Sequence, residues 1–215
     1  MKNEEFYHSD SKFSSFLFPL STFFCTFALE MENNDTIRWY PMRVTYHREL
    51  RIKEQLDSLG ICNFVPMHYD LADSSDGPRK MLVPAIHNLI FVHASQEVLT
   101  RLKMHKKEFE PMRYMTKTSA DGHKELLYVP DRQMKDFMRV ASVQEDSVIF
   151  LDVRNSANMG RHVRITAGRF KGVEGVIKRI KKNKYFLIQI DGVAAVAITY
   201  VPADCLEPIN MSGKN

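Results

Sequence analysis

The sequence predicts an α+β chain: a mixed domain of strands and helices followed by a small β-barrel. Three observations carry that prediction. Between residues 37 and 142, strand-like segments alternate with segments whose apolar residues recur at helical spacing. After residue 160 the helical period disappears, and short strands are separated by turn residues. The charge shifts at the same place. From residue 161 to 210 nine Lys/Arg face four Asp/Glu, a balance of +5, whereas the whole chain of 215 residues carries only +4. The remainder is therefore slightly negative, and the basic region invites a polyanion or an acidic partner.

Taken in order, "IRWYPMRV" (37–44) reads as a strand, with Pro41 pointing to an edge or a bulge. "HRELRIKEQLDSLG" (47–60) reads as a helix, because Ile52, Leu56 and Leu59 fall at i, i+4 and i+7 and Gly60 suits a left-handed C-cap. "ICNFVP" (61–66) returns as a short strand, and the polar stretch 70–80 as a hairpin or loop. "HNLIFVHA" (87–94) is an apolar run of buried-strand type. "SQEVLTRLKMHKK" (95–107) is a helix with Ser95 as N-cap and Glu97 in its first turn. "PMRYMT" (111–116) is strand-like. "VPDRQMKDFMRVAS" (129–142) is a third helix, capped by Asp131, with Met134, Phe137, Met138 and Ala141 on one stripe. Strands and helices alternating on one sheet make this domain α+β or α/β. "SVIFLD" (147–152) adds a strand, and 153–159 reads as a linker.

In the last quarter, "RHVRIT" (161–166) alternates, and "VEGVIKRI", "KYFLIQI" and "AAVAITYV" follow as strands. The glycines among them fit tight turns and bulged corners. Inside a helix, Gly168, Gly172, Gly175 and Gly192 would each cost roughly 1 kcal/mol and Pro202 roughly 3. This region is therefore expected to be permanently β.

The first residues differ from all of this. Phe13 to Leu29 carries no charge but is shorter than the roughly 20 apolar residues that span a bilayer. Lys2 and Lys12 are offset by Glu4, Glu5 and Asp10, so the positive start of a secretory signal is missing. Residues 1–36 are expected to be an extension outside the folded unit, with a membrane anchor or signal as the alternative. A chain beginning at Met31 should then behave like the whole. Cys25, Cys62 and Cys205 lie far apart with no CxxC, which fits structural thiols in a reducing, cytoplasmic compartment.

No P-loop, GxSxG or HExxH is present, so an enzyme is not expected. No metal and no cofactor are expected either. His87 and His93 stand six apart on one strand with no third ligand in view, and His123 and His162 are isolated.

"HVRITAGRFKGVEGVI" (162–177) resembles the KOW motif. Upstream, "WYPMRVTYHRELRIKEQL" (39–56) followed by "GI" and "FVP" resembles the opening of the NGN domain of the NusG family, and "HNLIFVHA" resembles its central strand. NGN, linker, KOW is the NusG order, and the likeness covers most of 37–209. The stretch "PMRYM…YVPDRQMKDFM" is most similar to the specialised UpxY-type paralogues of Bacteroides-like bacteria, antiterminators of long polysaccharide operons.

The resemblance implies an NGN domain at 37–152 (an antiparallel sheet flanked by helices), a linker at 153–159 and an SH3-like KOW barrel at 160–210. It also implies a transcription antitermination or elongation factor. The NGN domain would dock the clamp helices of the largest subunit of RNA polymerase through Trp39, Tyr40, Leu89, Ile90 and Phe91. Where the family often has Phe-Pro-Gly-Tyr or Phe-Pro-Asn-Tyr, this chain has Ile86-His87-Asn88-Leu89, so the aromatic at position 89 is replaced by Leu. The alternative for each anchor is a plain sheet-core residue, since neighbours on a strand face opposite sides.

Thr45 and Arg51 on the first strand–helix corner, with Thr100, Arg101 and Lys103 on the second helix, match regions that in specialised paralogues touch the non-template DNA strand. Tyr46 and His47 could stack there. The alternative is a solvated helix face. The basic hairpin Lys178, Arg179, Lys181, Lys182 and Lys184 would touch nascent RNA or an acidic protein, or else guard a strand edge. Phe170 corresponds to the loop through which NusG KOW domains contact a ribosomal small-subunit protein or Rho, or else caps the barrel. The competing function is a KOW-type RNA-binding or ribosome-associated protein without polymerase binding. A barrel tethered flexibly through 153–159 would leave the polymerase face open.

Overall fold

The structure is a computed structural model that describes residues 36–72, 77–151, 160–180 and 183–209. Its elements in chain order are β1 (Arg38–Val44), α1 (Glu49–Ser58), β2 (Asn63–Phe64), β3 (Met67–Ala72), β4 (Arg79–Pro84) and β5 (Leu89–Ala94). These are followed by α2 (Gln96–His105), β6 (Met112–Tyr114), β7 (Thr116–Thr118), β8 (Lys124–Leu126), α3 (Asp131–Ala141) and β9 (Val148–Leu151). The last quarter holds β10 (Arg161–Ile165), β11 (Glu174–Ile180), β12 (Asn183–Ile190), β13 (Ala194–Ile198) and β14 (Leu206–Pro208). The architecture is mixed α and β, an antiparallel sheet with helices followed by a second, all-antiparallel sheet, as expected.

The first sheet has the order β2-β5-β1-β6 and is antiparallel throughout. β5 and β1 are its inner strands, so the apolar run at 89–94 is buried on both faces. Pro41 does not mark an edge. Trp39 O accepts the N–H of Val129 at 2.8 Å on the side away from β5. By alternation, Pro41 turns its missing N–H to that same side. The ladder to β6 begins only at Met42, so no bond is lost there.

The helices follow their sequence signals. α1 ends in a Schellman motif: Gly60 N–H bonds Asp57 O at 3.0 Å and Ile61 N–H bonds Leu56 O at 2.9 Å, with Gly60 at φ 69°. Ser95 caps α2 by accepting the N–H of Val98 at 3.3 Å. Asp131 does not cap α3. Pro130 occupies the N-cap, and Asp131 sits in the first turn, where its charge complements the helix dipole.

The second sheet has six strands in the order β14-β10-β11-β12-β13-β9. Gly172 donates to Ile165 O at 2.7 Å with φ 88°, making the tight turn before β11. Gly175 has a different reason. A Cβ there would stand 2.4 Å from Leu187 O and 2.8 Å from the Phe186 ring, so β12 can approach only a glycine.

Two expectations change. The strand at 147–152, expected in the first domain, pairs with β13 instead. The linker at 153–159 lies outside the described residues, but the strands on either side of it belong to one sheet, not to two domains. The extension and Cys25 also lie outside the described residues. Among those residues, no helix is long and apolar enough to cross a membrane.

Candidate functional site

Strand alternation gives the first sheet two different apolar faces. Tyr40, Met42, Ile90 and Val92 pack with Ile52 and Leu56 of α1 and Leu99 of α2. Trp39, Leu89 and Phe91 point the other way. They join Met134, Phe137 and Val140 of α3 and, in the same cluster, Val173, Phe186, Ile188 and Val196 of the second sheet. The five expected polymerase anchors are all buried and are split between these faces. Phe91 meets the Phe137 ring with centroids 5.6 Å apart. Trp39 stacks on His93 at 4.8 Å, its cross-strand partner in the register.

The barrel is thus docked on α3 and not held away from it. The expectation of an open face is overturned because the stripe of α3 and the barrel's apolar surface complete one core. A polar latch rims the contact. Arg139 donates to the carbonyls of Lys171, at 2.8 Å, and Arg169. Gln133 Nε2 donates to Gln189 O at 2.6 Å, and Glu174 N–H to Asp136 Oδ2 at 3.3 Å. Arg132 pairs with Glu174, which also binds Arg164 on its own sheet. Arg169 grips Glu145 with two bonds of 2.6 and 2.7 Å and lies over the Phe170 ring at 4.7 Å.

Phe170, expected to meet an outside partner, is 8% exposed and belongs to the shared cluster. Burial raises the Asp136 carboxyl above the usual range, and this outweighs the lowering by its backbone bond and nearby arginines. The His93 imidazole is lowered, mainly by burial, with Asp131 at 3.7 Å pulling the other way.

The expected nucleic-acid residues fall into three groups. Thr45 and Arg51 are exposed. Arg51 lines a cleft of about 160 Å³ with Arg48, Ile52, Lys107 and Glu108, so three cations converge there. Arg48 and Lys107 were not foreseen, because Arg51 and Lys107 stand 56 positions apart and meet only through the turn after α2 that completes the cleft. On α2, Thr100 meets the Tyr114 hydroxyl at 3.3 Å, Arg101 pairs with Glu97, and Lys103 sits 4.6 Å over the Tyr114 ring. Desolvation, then Arg113, lowers the Lys103 ammonium. On the second sheet, Lys178 pairs with Tyr185 in register, and Arg179 stands directly opposite Lys184. Lys181 and Lys182 lie outside the described residues.

One surface escaped the sequence reading. The β3–β4 hairpin exposes Tyr69, Leu71, Met81 and Leu82, with Leu71 66% exposed. Strand alternation at 67–72 was the available signal, masked by the polar residues after it.

Comparison with protein families gives two matches. Residues 37–138 match the family described as transcription termination factor nusG, and residues 159–191 match the KOW motif. No curated protein matches the chain significantly.

Proposed function

We propose that this chain, a NusG-family protein by its two matched domains, is a transcription elongation or antitermination factor that binds RNA polymerase through its first domain. Proteins of this family are transcription factors and not enzymes. The finer reading is a UpxY-type antiterminator that docks the polymerase clamp helices in the cytoplasm and serves a capsular or surface polysaccharide operon.

The observation carrying this reading is the apolar sheet face of Trp39, Leu89 and Phe91, closed in part by a second folded sheet and a rim of polar bonds. An apolar face covered by a separable domain is one a partner can use after exchange. The exposed β3–β4 hairpin would supply a second contact, and the cleft of Arg48, Arg51 and Lys107 would hold a phosphate of the non-template strand. Like charges directly opposite on a sheet are unfavourable, so Arg179 and Lys184 would gain from a polyanion such as nascent RNA. A ribosomal small-subunit protein or Rho at Phe170 would require the barrel to be free.

The test is capture of purified RNA polymerase by the full chain and by the Arg139→Ala variant. The variant, with a weakened latch, should capture more polymerase than the wild type. Equal and undetectable capture by both, with ribosomal subunits recovered from lysate instead, would favour the ribosome-associated alternative.

A further inference from the structure

The corner between β1 and α1 meets the turn before β5 at three side chains, His47, Glu49 and His87. His47, Glu49 and His87 each offer one ligand atom, and all three atoms lie within 4.8 Å of one another. The two imidazoles meet edge to face with centroids 5.2 Å apart. Glu49 is 2% exposed. Its Oε1 accepts the N–H of Asn88 at 3.2 Å, but its Oε2 is buried with no hydrogen-bond partner. A buried carboxylate oxygen without a donor is costly, and a cation is the partner that would remove the cost. The frame is tied from both sides, since His47 N–H donates to Asn88 Oδ1 at 3.1 Å.

We propose that His47, Glu49 and His87 form a three-ligand site for a divalent cation of the zinc class. Two imidazoles and one carboxylate suit zinc and its neighbours, whereas calcium and magnesium favour all-oxygen shells. Zinc–ligand bonds of about 2.1 Å would require the ligand atoms to close to roughly 3.4 Å. The two histidines are exposed and can rotate inward, while the carboxylate is held by Asn88. Three protein ligands leave a fourth, tetrahedral position for water. The ion would staple the segment after β1 to the one before β5, which are neighbours in space but 40 residues apart between His47 and His87.

The test uses the untagged full chain. Zinc is titrated calorimetrically, and cobalt(II) is followed by the visible absorption of a tetrahedral ion. One ion per chain should bind. His47→Ala and His87→Ala should each weaken it by at least about tenfold, the scale on which even outer-shell changes act. Glu49→Gln keeps an acceptor for Asn88 and should weaken binding while the protein stays folded. If that variant unfolds, the two exposed histidines carry the test alone. No saturable binding, or binding that both histidine variants leave unchanged, overturns the proposal. The second result would place the ion on other histidines.

Discussion

The two faces of the first sheet are both buried, yet they are closed by different means. The face of Tyr40, Met42, Ile90 and Val92 is sealed by α1 and α2, which lie directly after β1 and β5 in the chain. The face of Trp39, Leu89 and Phe91 waits for α3 and a sheet built from the last third of the sequence. Side-chain hydrogen bonds and ion pairs rim the second closure, with Arg132, Gln133, Asp136 and Arg139 all facing the barrel. A polar rim around an apolar centre is how separable surfaces are built, whereas an unbroken apolar contact belongs to a core. On the proposed reading, the first face is the permanent one and the second the one a partner could exchange into.

The sharpest way to break the comparison is to damage the permanent face. Leu56→Ala should cost about 2–5 kcal/mol, because a fully buried side chain leaves a cavity between helix and sheet. Denaturant unfolding should show the midpoint falling with its slope unchanged. A small change there would mean that the α1 face is the looser one. Next in size is the barrel itself. Gly175→Ala forces a methyl against Leu187 O and should cost about 1–3 kcal/mol. Hydrogen exchange should quicken in β11 and β12 while β5 and α1 keep their protection. Exchange quickening equally on both sides of α3 would show that the two sheets unfold as one unit.

Arg139→Ala removes two bonds of the latch and should weaken docking by about 1 kcal/mol. Proteolysis near residues 168–173 should accelerate without a shift in the unfolding of α1. The smallest effect concerns pH. His93 binds its proton less well in the folded chain than at the ordinary 6.5. Between that lowered value and 6.5 the unfolded chain holds more proton, so stability is complete above about 6.5 and declines as pH falls through the window. Melting curves at pH 7.5 and 5.5 should differ less for His93→Gln than for wild type. Asp136 acts oppositely, since its raised carboxyl favours folding as it takes up a proton, so the histidine signal is best read above the range of carboxylates.

The parts legible in the sequence were those fixed by neighbouring residues. The Ser95 cap, the Gly60 stop and the apolar run of β5 each depend on a few adjacent positions, and each lies where the sequence put it. What the sequence hid depends on distant chain. Pro41 reads as an edge residue until the ladder beside it is seen to start one residue later. Strand β9 has no signal for which sheet it joins, because both offer an antiparallel edge. Arg139 and Lys171 carry no mark of meeting, being 32 positions apart on elements that alone look amphipathic and basic. The pairing of His47 with His87, and not of His87 with His93, likewise follows from the turn geometry around Asn88.

The membership of β9 in the second sheet sets the length of a leash. Ser147 is already bound to Thr199, whose N–H donates to its carbonyl at 2.8 Å. A barrel leaving α3 carries β9 along, and only residues 142–146 pay out behind it. Five extended residues reach roughly 17 Å. A domain so short of rope stays at a local concentration of order millimolar, and any visitor to the vacated face must compete against its constant return.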